Sequence, residues 1–99
     1  MMKNLLYSLS ILLAFSACNK KPEADFTWSP QTPKVGQEVQ FTNKTMDAKK
    51  YSWNLGNAKI SDEENPRNSY DVAGNYTVDL TATSGAKSDT KTMTIEVIP

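Results

Sequence analysis

Side chains able to carry chemistry are few in this chain of 99 residues. There is no histidine, which excludes Ser-His and Cys-His nucleophile pairs and His-ligated metal sites. The one cysteine, Cys18, can form neither an internal disulfide nor a Cys-rich zinc site. The serines lack a histidine base. Asp62, Glu63 and Glu64 make the one acidic cluster. Hard cations take several oxygens from one loop, and Asn57, Asn65 or backbone carbonyls could add to these three. No Asp-x-Asp-x-Asp-Gly loop is present, so a solvated loop is expected. A carboxylate pair for glycoside hydrolysis needs a cleft, and so small a domain spends its interior on its own side chains. No catalytic residue, cofactor or metal ligand is therefore assigned. Lys and Arg number 11, as do Asp and Glu. The basic residues are scattered and lack interleaved aromatics, so nucleic acid is not an expected partner.

What must position the remaining side chains is a set of strands. Beyond residue 21 the apolar pattern has a period of two, not 3.6. In residues 75–83, Tyr76, Val78, Leu80 and Ala82 share one face while Thr77, Asp79, Thr81 and Thr83 share the other. Residues 92–98 repeat the scheme with Met93, Ile95 and Val97 inward. Ser84-Gly85 between them supplies turn chemistry for a hairpin. Phe26 with Trp28, Val39 with Phe41, and Tyr51 with Trp53 and Leu55 alternate in the same way. Pro30, Pro33, Gly36, Gly56-Asn57, Asn65-Pro66 and Gly74 punctuate these runs. Six or seven short half-apolar strands bury their faces by closing two sheets on each other, which predicts an all-β sandwich. A small barrel is the alternative, since alternation alone does not separate the two.

The first residues read differently. A positive start at Lys3 is followed by an apolar run over residues 4–15 and then by Ser16, Ala17 and Cys18. This is the order of a secretory signal, and the run is shorter than the roughly 20 apolar residues that span a bilayer. Phe15-Ser16-Ala17-Cys18 resembles a bacterial lipobox, with Phe15 where leucine is preferred. The resemblance implies a signal-peptide helix over residues 1–17 that is removed, and lipidation (palmitate among the acyl chains) at Cys18. One acyl chain holds a protein only marginally, and two or three hold it durably. Residues 18–23 then read as the lipidated cysteine and a polar tether. Lys20 and Lys21 in it can touch anionic head groups. Residue 19 is not aspartate, so the inner-membrane retention signal of enteric lipoproteins is missing. The expected location is the bacterial cell envelope, by lipid anchor and at the outer membrane, on its periplasmic or its exposed face.

Four stretches then carry a second resemblance. Val35-Gly36 with Val39 and Phe41, Tyr51-Ser52-Trp53-Asn54-Leu55-Gly56-Asn57, Asn65-Pro66 before Tyr70, and Gly74-Asn75-Tyr76-Thr77-Val78-Asp79-Leu80 occur in this order. Residues 24–98 resemble a polycystic kidney disease (PKD) domain, an immunoglobulin-like β-sandwich. Asn54 and Asn57 stand where aspartates are usual, Leu55 where phenylalanine is usual, and Asn68 where histidine is frequent. These changes remove charge, so a calcium site built on those aspartates in relatives is not carried over. The resemblance implies that Trp53 is the central buried indole, with Phe41, Tyr76, Val78 and Leu80 in the core. Tyr76 is expected to act as a tyrosine corner, its hydroxyl on nearby backbone. Gly36, Gly56 and Gly74 are expected where a positive φ or a close approach is needed. Trp28 is expected to pack at the core or its edge rather than stack on a ligand.

By resemblance the function is non-catalytic: contact with a protein or a polysaccharide, outside the cytoplasm and moored through Cys18. The sandwich end away from the tether, or an open strand edge, would make the contact. With only Ile98 and Pro99 beyond Val97, the module is expected to take its partner from another chain. The rival expectation is an accessory subunit of an envelope complex, which proteolysis of intact cells separates from an outward-facing adhesive domain.

Overall fold

The computed structural model of the protein describes residues 20–99. All its regular elements are strands: β1 (Phe26–Ser29), β2 (Val39–Asn43), β3 (Lys50–Asn54), β4 (Ile60–Ser61), β5 (Arg67–Asn68), β6 (Gly74–Ser84) and β7 (Lys87–Val97). They form two antiparallel sheets, one ordered β1-β2-β5 and the other β4-β3-β6-β7. This is the two-layered sandwich, not the barrel. The longest pairing joins β6 to β7 through the whole of both strands, from Gly74↔Val97 to Ser84↔Lys87. Gly85 supplies the positive φ (61°) that the two-residue turn needs.

The core lies where the period-two pattern places it. Phe26, Val39, Phe41, Trp53, Val78, Leu80, Ile95 and Val97 are buried between the sheets, joined by Trp28, Leu55 and Tyr70. Trp53 has no exposed surface. The Phe26 ring meets it edge-on at 5.0 Å between centroids, and Phe41 lies at 5.6 Å. Such aromatic contacts add about 0.5–1.5 kcal/mol each beyond their area. The indole N–H is not left bare: it donates to the Glu63 carbonyl at 2.9 Å and so ties down the acidic loop. Trp28 is a core residue, and its indole N–H donates to the Gln31 carbonyl at 3.0 Å.

The structure departs from the sequence reading in two places. Pro22 is fully buried, and Glu23 pairs with Met46 through backbone bonds in both directions, so the packed chain begins inside the stretch read as tether. Pro22, Ala24, Phe26 and Trp28 are alternately buried, so the first strand's pattern simply extends backwards. Tyr76 is half-buried at the core margin, and the tyrosine that fills the core is Tyr70, 1% exposed. The corner role of Tyr76 is nevertheless present. Its ring lies 4.4 Å from that of Tyr70, and its hydroxyl donates to the Val72 carbonyl four residues upstream. Cys18 and the segment 1–17 lie outside the described residues.

Candidate functional site

The strands run so that β1 begins, β2 ends and β3 begins at one end of the sandwich, where residues 20–23 also lie. The opposite end is built by the segment after β1, the β3–β4 turn and the segment from β5 to β6. There the turn after β3 is set by an asparagine. Asn54 Oδ1 accepts from the Gly56 N–H at 3.1 Å, an Asx-turn that needs no charge. Gly56 follows at φ 91°. Gly36 and Gly74, also singled out from the sequence, have positive φ as well.

The two departures from the family pattern at residues 57 and 68 turn out to touch. Asn68 is 7% exposed, and its Nδ2 donates to Asn57 Oδ1 at 3.0 Å. Asn57 Nδ2 in turn donates to the Ser69 carbonyl at 3.1 Å. Two neutral amides therefore lock the β3–β4 turn to β5 with no buried charge to compensate. Beside them the buried Tyr70 hydroxyl donates to the Leu55 carbonyl at 2.7 Å. Burial pushes the Tyr70 phenol above its ordinary range; the Asn68 amide opposes this, and Tyr76 adds to it. A raised acid pKa means that the folded state holds its proton where the unfolded chain has lost it. Stability from this group is complete below the ordinary tyrosine range and is lost as pH rises from that range through the raised value. Denaturant melts across alkaline pH should show the wild type losing stability more steeply than Tyr70→Phe.

Against this lock lies an open depression of about 320 Å³, lined by Gly36, Glu38, Lys59, Arg67, Asn68 and Ser69. Arg67 is aimed rather than loose. Its Nε donates to Gln40 Oε1 at 2.8 Å, and Gln40 Nε2 donates to the Asn65 and Pro66 carbonyls. An Arg67 terminal nitrogen stands 3.6 Å from Glu38, and both side chains are about two-thirds exposed. A pair so exposed adds only about 0–1 kcal/mol to stability, which leaves it available to a ligand. The site thus offers a guanidinium, an ammonium, a carboxylate and a serine hydroxyl. It holds no general base poised beside a nucleophile.

Sequence reading did not find this site. Glu38, Lys59 and the pair Arg67 and Ser69 come from three separate segments, and only the register Val39↔Asn68, Gln40↔Arg67 brings β2 and β5 together. The acidic cluster does not become a site. Asp62, Glu63 and Glu64 are all exposed, and Ser61 Oγ accepts from the Glu63 N–H at 3.1 Å in a local turn. Among the described residues no three His, Cys, Asp or Glu side chains are grouped to hold a metal ion.

A family model described as PKD domain matches residues 19–98. The chain belongs to the PKD domain family. Solved structures agree with that membership. The PKD1 domain of Vibrio anguillarum Epp is 34% identical over 82% of this chain and 99% of that one, with a TM-score of 0.72. The PKD1 domain of the Vibrio cholerae metalloprotease PrtV is 33% identical over 81% of this chain and 100% of that one, at a TM-score of 0.71. A structure of carbohydrate-binding modules of promiscuous specificity, from the β-sandwich superfamily, is 28% identical with a TM-score of 0.77. That match covers 81% of this PKD domain chain but only 35% of the other protein. The Asn54, Leu55 and Asn57 departures are accommodated by the PKD fold: Leu55 is buried and Asn54 makes the turn.

Proposed function

We propose that this protein is a lipid-anchored extracytoplasmic PKD domain whose distal end binds polysaccharide without chemically altering it. The observation that carries the reading is the polar depression around Arg67 and Lys59, placed at the opposite end from residues 20–23. Sugars present hydroxyl groups in fixed arrays, and a shallow site of Arg, Lys, Glu, Asn and Ser meets them with both donors and acceptors. The likeness to carbohydrate-binding modules supports the ligand class. The absence of histidine from the sequence supports a binding rather than a catalytic role. Anchoring rests on Phe15-Ser16-Ala17-Cys18, which puts the acylated residue a few positions before the packed chain. The location that follows is the bacterial cell envelope, with the outer membrane as its surface.

A second reading, contact with a protein, is favoured by β7. This strand of eleven residues pairs only with β6 in its sheet; its other edge is met at the ends, where Ile98 bridges to Lys34 and Asp89 accepts from the Ala24 N–H, and the stretch between can take an added strand. Charges at Lys87, Asp89, Lys91 and Glu96 discourage pairing between copies.

The test is native electrophoresis through gels containing polysaccharides purified from the host envelope. The wild type is retarded, and Lys59→Ala with Arg67→Ala restores free mobility while the thermal melt stays in place. No retardation in any such gel, or equal retardation of wild type and variant, refutes the site. In the same cells the wild type partitions with membranes and Cys18→Ser is released. A Cys18→Ser protein that still sediments with membranes overturns the anchor.

A further inference from the structure

Val39 and Asn68 face each other across β2 and β5 and are buried, so Gln40 and Arg67, one step along, turn to the outer face. A guanidinium has five N–H donors in a fixed fork. The Arg67 Nε hydrogen is spent on Gln40 Oε1 at 2.8 Å. That amide is itself held, since its Nε2 donates to the Phe41, Asn65 and Pro66 carbonyls. The plane of the guanidinium is therefore set. Its Nη1 stands 3.6 Å from Glu38 Oε1, too far for a hydrogen bond. Among the described residues the two Nη groups make no hydrogen bond, and the exposed Lys59 ammonium has no side-chain partner.

The charge around the depression does not favour an anion from afar. Residues 20–99 carry ten cations against eleven carboxylates, a net of minus one. Lys34 and Asp71 flank the lining, on segments joined by the Gly36 N–H donating to the Tyr70 carbonyl at 2.9 Å, and they cancel. Asp62, Glu63 and Glu64 lie on the loop that leads away to the other end, where the Asn43 N–H donates to Asn65 Oδ1. Recognition here is a matter of local fit. A neutral sugar leaves both cations without a counter-charge, and a bare phosphate meets Glu38 charge to charge. A uronic acid residue presents both halves of the match, a carboxylate for the cations and hydroxyls that donate to Glu38.

Resting on the proposal that this depression binds polysaccharide, we infer that the ligand is an acidic polysaccharide, with a uronate carboxylate held end-on by the two Nη groups of Arg67, Lys59 as the second cation and Glu38 accepting from the sugar hydroxyls. Bidentate pairs of this kind are roughly twice as strong as neutral hydrogen bonds. Lysine carries the same charge without the fork, so Arg67→Lys separates the clamp from simple attraction.

The test runs the full chain, kept soluble in a neutral detergent, through gels containing polysaccharide purified from the host envelope. One set holds the polysaccharide as isolated and the other holds it with its carboxyl groups chemically reduced to primary alcohols. Equal retardation of the wild type should need about tenfold more of the reduced polymer, the loss expected when a hydrogen bond to a charged group is removed. Arg67→Lys, with its thermal melt unchanged, should need about tenfold more of the untreated polymer for the same reason. Equal retardation by both polymers overturns the acidic ligand and leaves polysaccharide binding standing, whether or not the polymer carries phosphate. No retardation by either overturns both readings. An Arg67→Lys protein retarded like the wild type overturns the clamp.

Discussion

Trp53→Ala is expected to leave the domain largely unfolded at ambient temperature. The indole has no exposed surface, meets Phe26 and Phe41, and bonds the Glu63 carbonyl. Truncating a buried aromatic costs about 3–5 kcal/mol through lost transfer energy and the cavity left behind. A domain of this size with no disulfide has a total margin of roughly 5 kcal/mol, near the low end of the usual range. The loss therefore takes most or all of it. Trp53→Phe keeps much of the volume but leaves the Glu63 carbonyl without its donor. It should fold, with a lower melting temperature and a looser loop over residues 62–64. Circular dichroism melts of the three proteins check the order: wild type above Trp53→Phe above Trp53→Ala.

Gly56→Ala is the second large effect, and here a single methyl group is responsible. Gly56 has φ 91°, a backbone state that L-residues rarely adopt. A Cβ on it would also stand 2.7 Å from the Thr77 carbonyl oxygen and 3.1 Å from the Tyr76 Cβ. The left-handed backbone alone costs about 1–2 kcal/mol. Overpacking against a sheet that cannot give way adds about 1–3 kcal/mol. Gly85 provides the control. Its φ is 61° and a Cβ there meets nothing within 4 Å, so Gly85→Ala pays only the backbone cost. Chemical denaturation should place Gly56→Ala about 1–3 kcal/mol below Gly85→Ala. Equal losses in the two variants would mean that the turn after β3 does not press on β6.

How much of this could be read from the chain depended on strand length. β6 and β7 are eleven residues each, long enough for Val78, Leu80, Ile95 and Val97 to declare their face by alternation. Trp53 and Phe41, on strands of five residues, and the break at Gly56 are legible through short alternation, turn chemistry and the PKD resemblance. β4 and β5 hold two residues each, too few to show any period. They exist because register with β3 and β2 imposes them, and Ile60 in β4 is 81% exposed, against the sense of its side chain. The exchange of Tyr76 for Tyr70 in the core has a positional cause. Tyr76 sits at the start of β6, where the sheet runs out, whereas Tyr70 is carried inward by the Asn57–Asn68 lock. The Arg67 depression is invisible one-dimensionally, since it is assembled from segments separated in the chain.

The two sheets close over Trp53 and so confine any chemistry to the exterior. Fluorescence of the Trp28→Phe protein, in which Trp53 alone emits, tests this directly. A closed sandwich gives blue-shifted emission that acrylamide and iodide scarcely quench until denaturant unfolds the chain. Red-shifted emission quenched as readily in the native protein as in the denatured one would place the indole in water and contradict the architecture.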